Sequence, residues 1–176
     1  MHSALFDTAI GRCGIAWGPH GITSLQLPEP SDAGTLRRMF RGGAALPQAE
    51  PPPEVQSAIE RIVALLQGEP IDLRDVALDF DGIPPFHQRV YEVSREILAG
   101  QTRTYGEVAT QLGDPGASRA VGQALGANPF AVIVPCHRVL AAGGRSGGFS
   151  AGGGVSTKLR ILLIEQAQIG SQRGLF

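Results

Sequence analysis

The sequence predicts an α+β protein: a small domain with an antiparallel sheet, followed by a mainly helical half that contains a helix-turn-helix. Three observations carry this. The opening run "ALFDTAIGRCGIAWGPHGITSLQLP" alternates apolar stretches with glycine and Pro-His-Gly punctuation, the pattern of a short meander. Beyond residue 83 apolar residues recur at helical spacing. Two short helical segments then flank the tight turn "DPGA".

In order along the chain, "SDAGTLRRMF" reads as a short helix and "RGGAALPQAEPPP" as a surface loop. Val55, Ile59, Ile62, Val63 and Leu66 mark a helix stopped by Gly68 and Pro70. "DLRDVALDF" returns to strand character, and "DGIPPF" is the boundary between a domain over 1–83 and one over 84–170. Phe86, Val90, Val93 and Ile97 share one face of a helix that ends at Gly100. Thr104 and Glu107 stand at capping-box spacing and fix the start of "TYGEVATQLG". "SRAVGQALGANP" is the second helix of the pair, closed by Asn128-Pro129. "AVIV" is β-branched and apolar, and should be buried. "AAGGRSGGFSAGGG" is a glycine-rich loop, and "STKLRILLIEQAQ" a final amphipathic helix capped by Ser156 or Thr157. Residues 171–176 form a tail.

Composition narrows the function. No apolar run approaches the length of a membrane span. The first residues show no basic flank before an apolar core, so no secretory signal is expected. Two cysteines, Cys13 and Cys136, make no disulfide framework and point to a reducing, cytoplasmic setting. Residues 1–83 carry six basic and eleven acidic side chains, whereas residues 84–176 carry nine basic and five acidic. The second half can therefore face a polyanion while the first does not, although chance asymmetry on a solvated surface produces the same figures.

The chemistry gathers at "AVIVPCHRVL". A cysteine here is a nucleophile, a metal ligand, a disulfide partner or filler. Pro135 fixes its own φ and restricts Val134, so the chain should turn sharply and present Cys136 in a defined place. The thiolate is the reactive form, and His137 follows directly, but adjacent residues need a tight turn or a bridging water to cooperate. Residues alone leave a reactive and a structural cysteine both open.

"VPCHRV" resembles the active-site signature of the O6-alkylguanine-DNA alkyltransferases, also called methylated-DNA–protein-cysteine S-methyltransferases. The likeness extends through "TYGEVATQLGDPGASRAVGQALGANPFAVIVPCHRV" and "GGFSAGGGVSTKLRILLIEQ", about half the chain. It implies a ribonuclease-H-like N-terminal domain ahead of the helical one. It also implies a single-turnover DNA repair reaction, in which the sulfur of Cys136 takes the alkyl group from O6-alkylguanine or O4-alkylthymine and keeps it. No cofactor and no metal are needed. His2, Cys13, His20 and His87 do not reproduce the zinc-ligand pattern of some relatives, and Cys13 reads as strand filler.

By the same resemblance His137 relays the thiol proton through a water and Glu165 orients it. Asn128 braces the turn, and Tyr105 donates to the departing base. Arg119 fills the stack vacated by the flipped nucleotide, and Ala117, Ser118 and Ala120 let that helix press into the minor groove of double-stranded DNA. The carbonyls of Cys136 and Val139 and the N–H of Ser150 match positions that hold the guanine edge. Phe149 stands where the family often has tyrosine, and Ala151 where glycine is common, which narrows the pocket mouth. The ending "QRGLF" resembles the peptide with which bacterial replication proteins dock on the sliding clamp, through Gln172, Leu175 and Phe176. The chain is otherwise expected to be a monomer.

Overall fold

The computed structural model describes residues 1–142 and 155–166. Strands β1 (His2–Thr8), β2 (Gly11–Gly18) and β3 (Gly21–Gln26) form an antiparallel meander in that order. Gly21 is fixed by geometry: φ is +132°, and a Cβ there would lie 2.7 Å from the Ala77 carbonyl oxygen. Helix α1 (Asp32–Met39) starts where Ser31 accepts a hydrogen bond from the Gly34 amide at 3.0 Å, and it packs against β2 and β3. Helix α2 (Pro53–Leu66) buries Val55, Ile59, Ile62, Leu65 and Leu66.

The strand expected over "DLRDVALDF" does not form. Only Leu78 pairs, in a single bridge to Ile22. Side chains explain this. The Asp72 carboxylate accepts from the Arg74 amide, and Leu73 and Val76 close a turn between them. Arg95 then donates to both the Leu73 and Val76 carbonyls at 2.8 Å, taking acceptors that a neighbouring strand would need.

Helix α3 (Pro85–Arg95) ends earlier than the apolar spacing suggested; Ile97 is buried beyond its end. Strand β4 is two residues, Arg103–Thr104, and leads directly into α4 (Tyr105–Gln111). Both halves of the capping box are present, with the Glu107 amide donating to Thr104 Oγ1 and the Thr104 amide to Glu107 Oε1. Gly113 (φ +86°) ends α4 in a Schellman arrangement, its N–H on the Thr110 carbonyl and that of Asp114 on Ala109. Helix α5 (Ser118–Gly126) packs on α4 and on α3, where the Tyr91 hydroxyl donates to the Ala124 carbonyl at 2.7 Å.

"AVIV" is buried as expected, but as a tight turn, with Val132 at φ +70°. A β-branched residue there stores about 1–3 kcal/mol of strain. The Val134 amide on the Phe130 carbonyl (2.8 Å) helps hold it. A single 3-10 turn, Cys136–Arg138, then leads into β5 (Val139–Leu140), which pairs in parallel with β4. The start of α4 is thus tied to the residues that follow Cys136. Helix α6 (Val155–Ile164) packs on the 3-10 turn. It begins at Val155, so Ser156 and Thr157 fall within its first turn rather than at its cap. One continuous buried cluster draws on both halves of the chain. The Leu25 amide donates to the Pro129 carbonyl at 2.8 Å, joining the sheet edge to the segment before Cys136. Among the described residues no helix is long and apolar enough to cross a membrane.

Candidate active site

Cys136 is presented by two successive backbone constraints. Pro135 sits at φ −79°, ψ 64°, and the Cys136 amide donates to the Val134 carbonyl at 2.8 Å, an inverse γ-turn. Asn128 locks that turn from behind: its Nδ2 donates to the Val134 carbonyl at 3.0 Å, while its Oδ1 accepts from the Phe130 amide at 2.9 Å. The asparagine therefore does more than end a helix; Ala127 occupies the cap.

Cys136 is 7% exposed. Burial pushes its pKa up, opposed by a hydrogen bond from Asn128, the charge of Lys158, and its own and the His137 amides. Lys158 was not foreseen. It is the sole lysine of the chain, on a helix that reads as amphipathic, yet it is fully buried. Its Nζ donates to the Val139 carbonyl at 2.8 Å and lies 5.8 Å from the Tyr105 ring centroid. Burial lowers its pKa to about 8, although the thiolate charge of Cys136 works the other way. Tyr105 is held above the ordinary phenol value by burial and by the Cys136 charge, so it stays a donor. The Cys136 carbonyl accepts from the Val139 amide and the Val139 carbonyl from Lys158.

His137 and Glu165 meet as a fully buried pair, Nε2 to Oε1 at 2.8 Å. Arg138, the second side chain not foreseen, clamps the same carboxylate with Nε on Oε2 (3.0 Å) and Nη2 on Oε1 (2.7 Å), and its Nη1 donates to the Ile97 carbonyl. Burial would raise the Glu165 pKa, but His137 and Arg138 hold it at about 2. His137 is pushed below its ordinary value, chiefly by burial; Glu165 resists this, but Arg138 has already neutralised the carboxylate. A neutral imidazole with Nε2–H on Glu165 leaves Nδ1 as an unprotonated acceptor, and Nδ1 is buried with no protein partner among the described residues. An oriented base of this kind can take a proton from a nearby thiol.

The other predicted residues lie on the adjoining face. Tyr105, Ser118 and Arg119 line a cleft of about 790 Å³ with Gly122, Gln123 and Gly126. Arg119 points into solvent, Ala120 is half-buried, and Ala117 packs against the core just before α5. Phe149, Ser150, Ala151, Gln172, Leu175 and Phe176 lie outside the described residues.

The methylated-DNA–protein-cysteine methyltransferase of Mycobacterium tuberculosis is 43% identical over 176 residues, covering 100% of this chain and 99% of that protein. This chain belongs to the methylated-DNA–protein-cysteine methyltransferase family. The family described as "6-O-methylguanine DNA methyltransferase, DNA binding domain" matches residues 85–167, which include α4, α5 and Cys136. A methylated-DNA–protein-cysteine methyltransferase of the archaeon Methanothermobacter thermautotrophicus is 33% identical over 159 residues, covering 90% of this chain and 82% of that one. The crystal structure of Mycobacterium tuberculosis OGT in complex with DNA superposes with a TM-score of 0.74 at 37% identity, over 94% of this chain and 92% of that one. The methyltransferase fold thus extends over the N-terminal sheet as well as the helical half.

Proposed function

We propose that this methyltransferase repairs DNA by moving one alkyl group from O6-alkylguanine, or O4-alkylthymine, to Cys136, irreversibly and without cofactor. The observation that carries the reading is the buried His137–Glu165 pair, Nε2 to Oε1 at 2.8 Å, directly after a buried Cys136 whose burial-raised pKa is opposed by Asn128 and Lys158. A water between His137 Nδ1 and Cys136 Sγ would pass the thiol proton to the imidazole. The thiolate attacks the alkyl carbon, the C–O6 bond breaks, and the Tyr105 hydroxyl donates to the departing base. A thioether is a poor leaving group, so the protein is consumed.

The target base must leave the duplex to reach a thiol this deep. Arg119, exposed on α5, supports the reading of an arginine that fills the gap in a minor-groove complex, with small residues at 117, 118 and 120 allowing close approach. In this division of labour residues 1–83 form a supporting, ribonuclease-H-like domain, residues 84–170 bind DNA and accept the alkyl group, and residues 171–176 form a tail. The test is a titration: O6-methylguanine duplex repaired should plateau at one equivalent per protein, with one methyl found on Cys136. Repeated turnover by a trace of protein would instead make it a thiol hydrolase and overturn the reading.

Two substitutions should separate the roles. Arg119→Ala should slow repair in duplex about tenfold or more, with a smaller effect on transfer from a free alkylated base, because only the duplex needs its gap filled. Tyr105→Phe should slow both substrates alike, about tenfold, with DNA affinity retained. The tail carries a separate proposal, docking on the sliding clamp through Gln172, Leu175 and Phe176. Clamp retained by the full chain and lost on removal of residues 172–176 would bear this out; equal retention would end it.

A further inference from the structure

Glu165 stands in an unfavourable place. It follows the last residue of α6, where the helix dipole is negative, and its amide still donates to the Ile161 carbonyl at 3.0 Å. A buried carboxylate there needs a cation, and two buried side chains compete for that role. His137 makes one contact, Nε2 to Oε1. Arg138 makes two, Nε to Oε2 at 3.0 Å and Nη2 to Oε1 at 2.7 Å, so its fork covers both oxygens. Its third nitrogen, Nη1, donates at 2.7 Å to the Ile97 carbonyl, beyond the end of α3. The guanidinium is thus held from a second element and does not depend on Glu165 alone for its place.

The two contacts to Glu165 are unlike, because an arginine stays charged where an imidazole titrates. Were Glu165 to face His137 alone, the buried anion would favour the imidazolium, as an opposite charge at this range does. An imidazolium has no lone pair left with which to take a thiol proton. With Arg138 in place the Glu165–Arg138 pair is neutral as a unit, and Glu165 acts on His137 more as a hydrogen-bond acceptor than as a charge. The remaining groups agree in direction. The element packed on this turn is α6, which supplies Glu165 and Lys158. Burial is the main force pushing His137 down, and the charges of Arg138 and Lys158 add to it. Tyr91 on α3 and Tyr105 on α4 sense the charge of Cys136, and burial raises both phenols, so neither brings a charge of its own.

We propose that Arg138 is a positioning residue of the transfer: by spending the charge of Glu165 it keeps His137 a neutral imidazole, whose unprotonated Nδ1 can accept the thiol proton. The proposal rests on the alkyl-transfer reading above. The proton leaves Cys136 Sγ for His137 Nδ1, the thiolate goes on to the alkyl carbon, and Arg138 stays charged throughout. Arg138 touches neither the sulfur nor the base; it acts through Glu165 and His137.

The experiment follows the His137 imidazole by NMR across pH, without substrate, in wild type, Arg138→Gln, Glu165→Gln and the double variant. Arg138→Gln should titrate about one pH unit or more above wild type, because the anion then faces the ring alone. Glu165→Gln should titrate lowest, with a cation and no anion beside the ring. The double variant, with neither, should fall between them. Single-turnover transfer from an O6-methylguanine duplex should show the same displacement of its acid limb, on which Arg138→Gln is about tenfold slower and from which it recovers as pH rises. Arg138→Lys, which keeps the charge and loses the fork, should undo most of the shift. If Arg138→Gln does not fold, the double variant, which buries no unpaired charge, must still titrate above Glu165→Gln. His137 titrating alike in every folded variant, or in none, would overturn the proposal, whatever happens to the rate. That result in a wild-type protein that transfers methyl would sink this inference alone. Wild-type protein that transfers no methyl, with the titration order as expected, would instead remove the reading beneath it.

Discussion

Cys136→Ala should abolish alkyl transfer outright: no adduct mass on the protein, and the O6-methylguanine duplex returned intact. The loss is expected to be total because no other group can replace the sulfur. Cys13 is the remaining thiol, and its site is unsuitable. It is buried in β2, among the described residues its side-chain hydrogen-bond partner is Thr8 Oγ1 at 3.8 Å, and burial pushes its pKa up to about 12. The Cys136 thiol is raised by burial too, but Asn128, Lys158 and two backbone amides oppose the shift, and it borders a cavity. Burial raises both thiols; what sets Cys136 apart is the cavity it borders and the donors and cation near its sulfur.

The stability cost of Cys136→Ala should be small, about 1 kcal/mol, because the substitution removes one atom and leaves the His137–Glu165–Arg138 cluster in place. Damaged duplex should still bind. Chemical denaturation and a gel-shift measurement check both points. A variant that is folded, binds lesions and transfers nothing would locate the chemistry on the sulfur. A Cys136→Ala protein that still accepts methyl would displace Cys136 from the reaction. Cys13→Ala, as the companion, should retain one equivalent of transfer.

Where local rules decide the structure, the sequence was legible. Thr104 and Glu107 cap α4 through contacts three residues apart, and both of the expected bonds are present. The meander followed from alternation and glycine turns. The failures share another cause: partners distant in sequence. "DLRDVALDF" has strand propensity, but Arg95, some twenty residues on, takes the Leu73 and Val76 carbonyls. Lys158 sits in an amphipathic pattern that places a lysine in water, yet the Val139 carbonyl and the Tyr105 ring, supplied by other elements, give it a buried seat. Arg138 beside His137 reads as one more surface charge until α6 brings Glu165 across 27 residues. Glu165 and Asn128 were legible only because the resemblance supplied positions that spacing could not.

Glu165→Gln should cause the second large effect, on rate and on stability together. The carboxylate is nearly inaccessible to water and serves the guanidinium of Arg138 and the imidazole of His137, which becomes a cation only on taking a proton. Glutamine keeps the shape and loses the charge. Arg138, itself buried, is then left as an uncompensated guanidinium, and breaking a buried ion pair from one side costs about 3–5 kcal/mol. Transfer should slow about a hundredfold, because the imidazolium formed on taking the thiol proton loses its counter-charge and its orienting acceptor. The pH dependence separates this from a merely structural effect. The folded-state pKa of Glu165, about 2, lies below its ordinary 4.5, so its contribution is present above pH 4.5 and is lost as the pH falls towards 2. The glutamine variant should lack that acid-side slope. His137 is lowered below 6.5, so the unfolded chain takes up this proton first and stability also falls as pH drops below 6.5. That second slope should persist in the variant, since burial is its main cause. With glutamine in place the imidazolium also becomes harder to form, so the variant's rate should rise more steeply with pH as hydroxide replaces the internal base. Glu165→Asp, which keeps the charge but shortens the reach, should recover part of the stability before it recovers the rate. A glutamine variant with wild-type transfer and an unaltered acid limb would mean that His137 works without Glu165, and that the buried trio serves the fold alone.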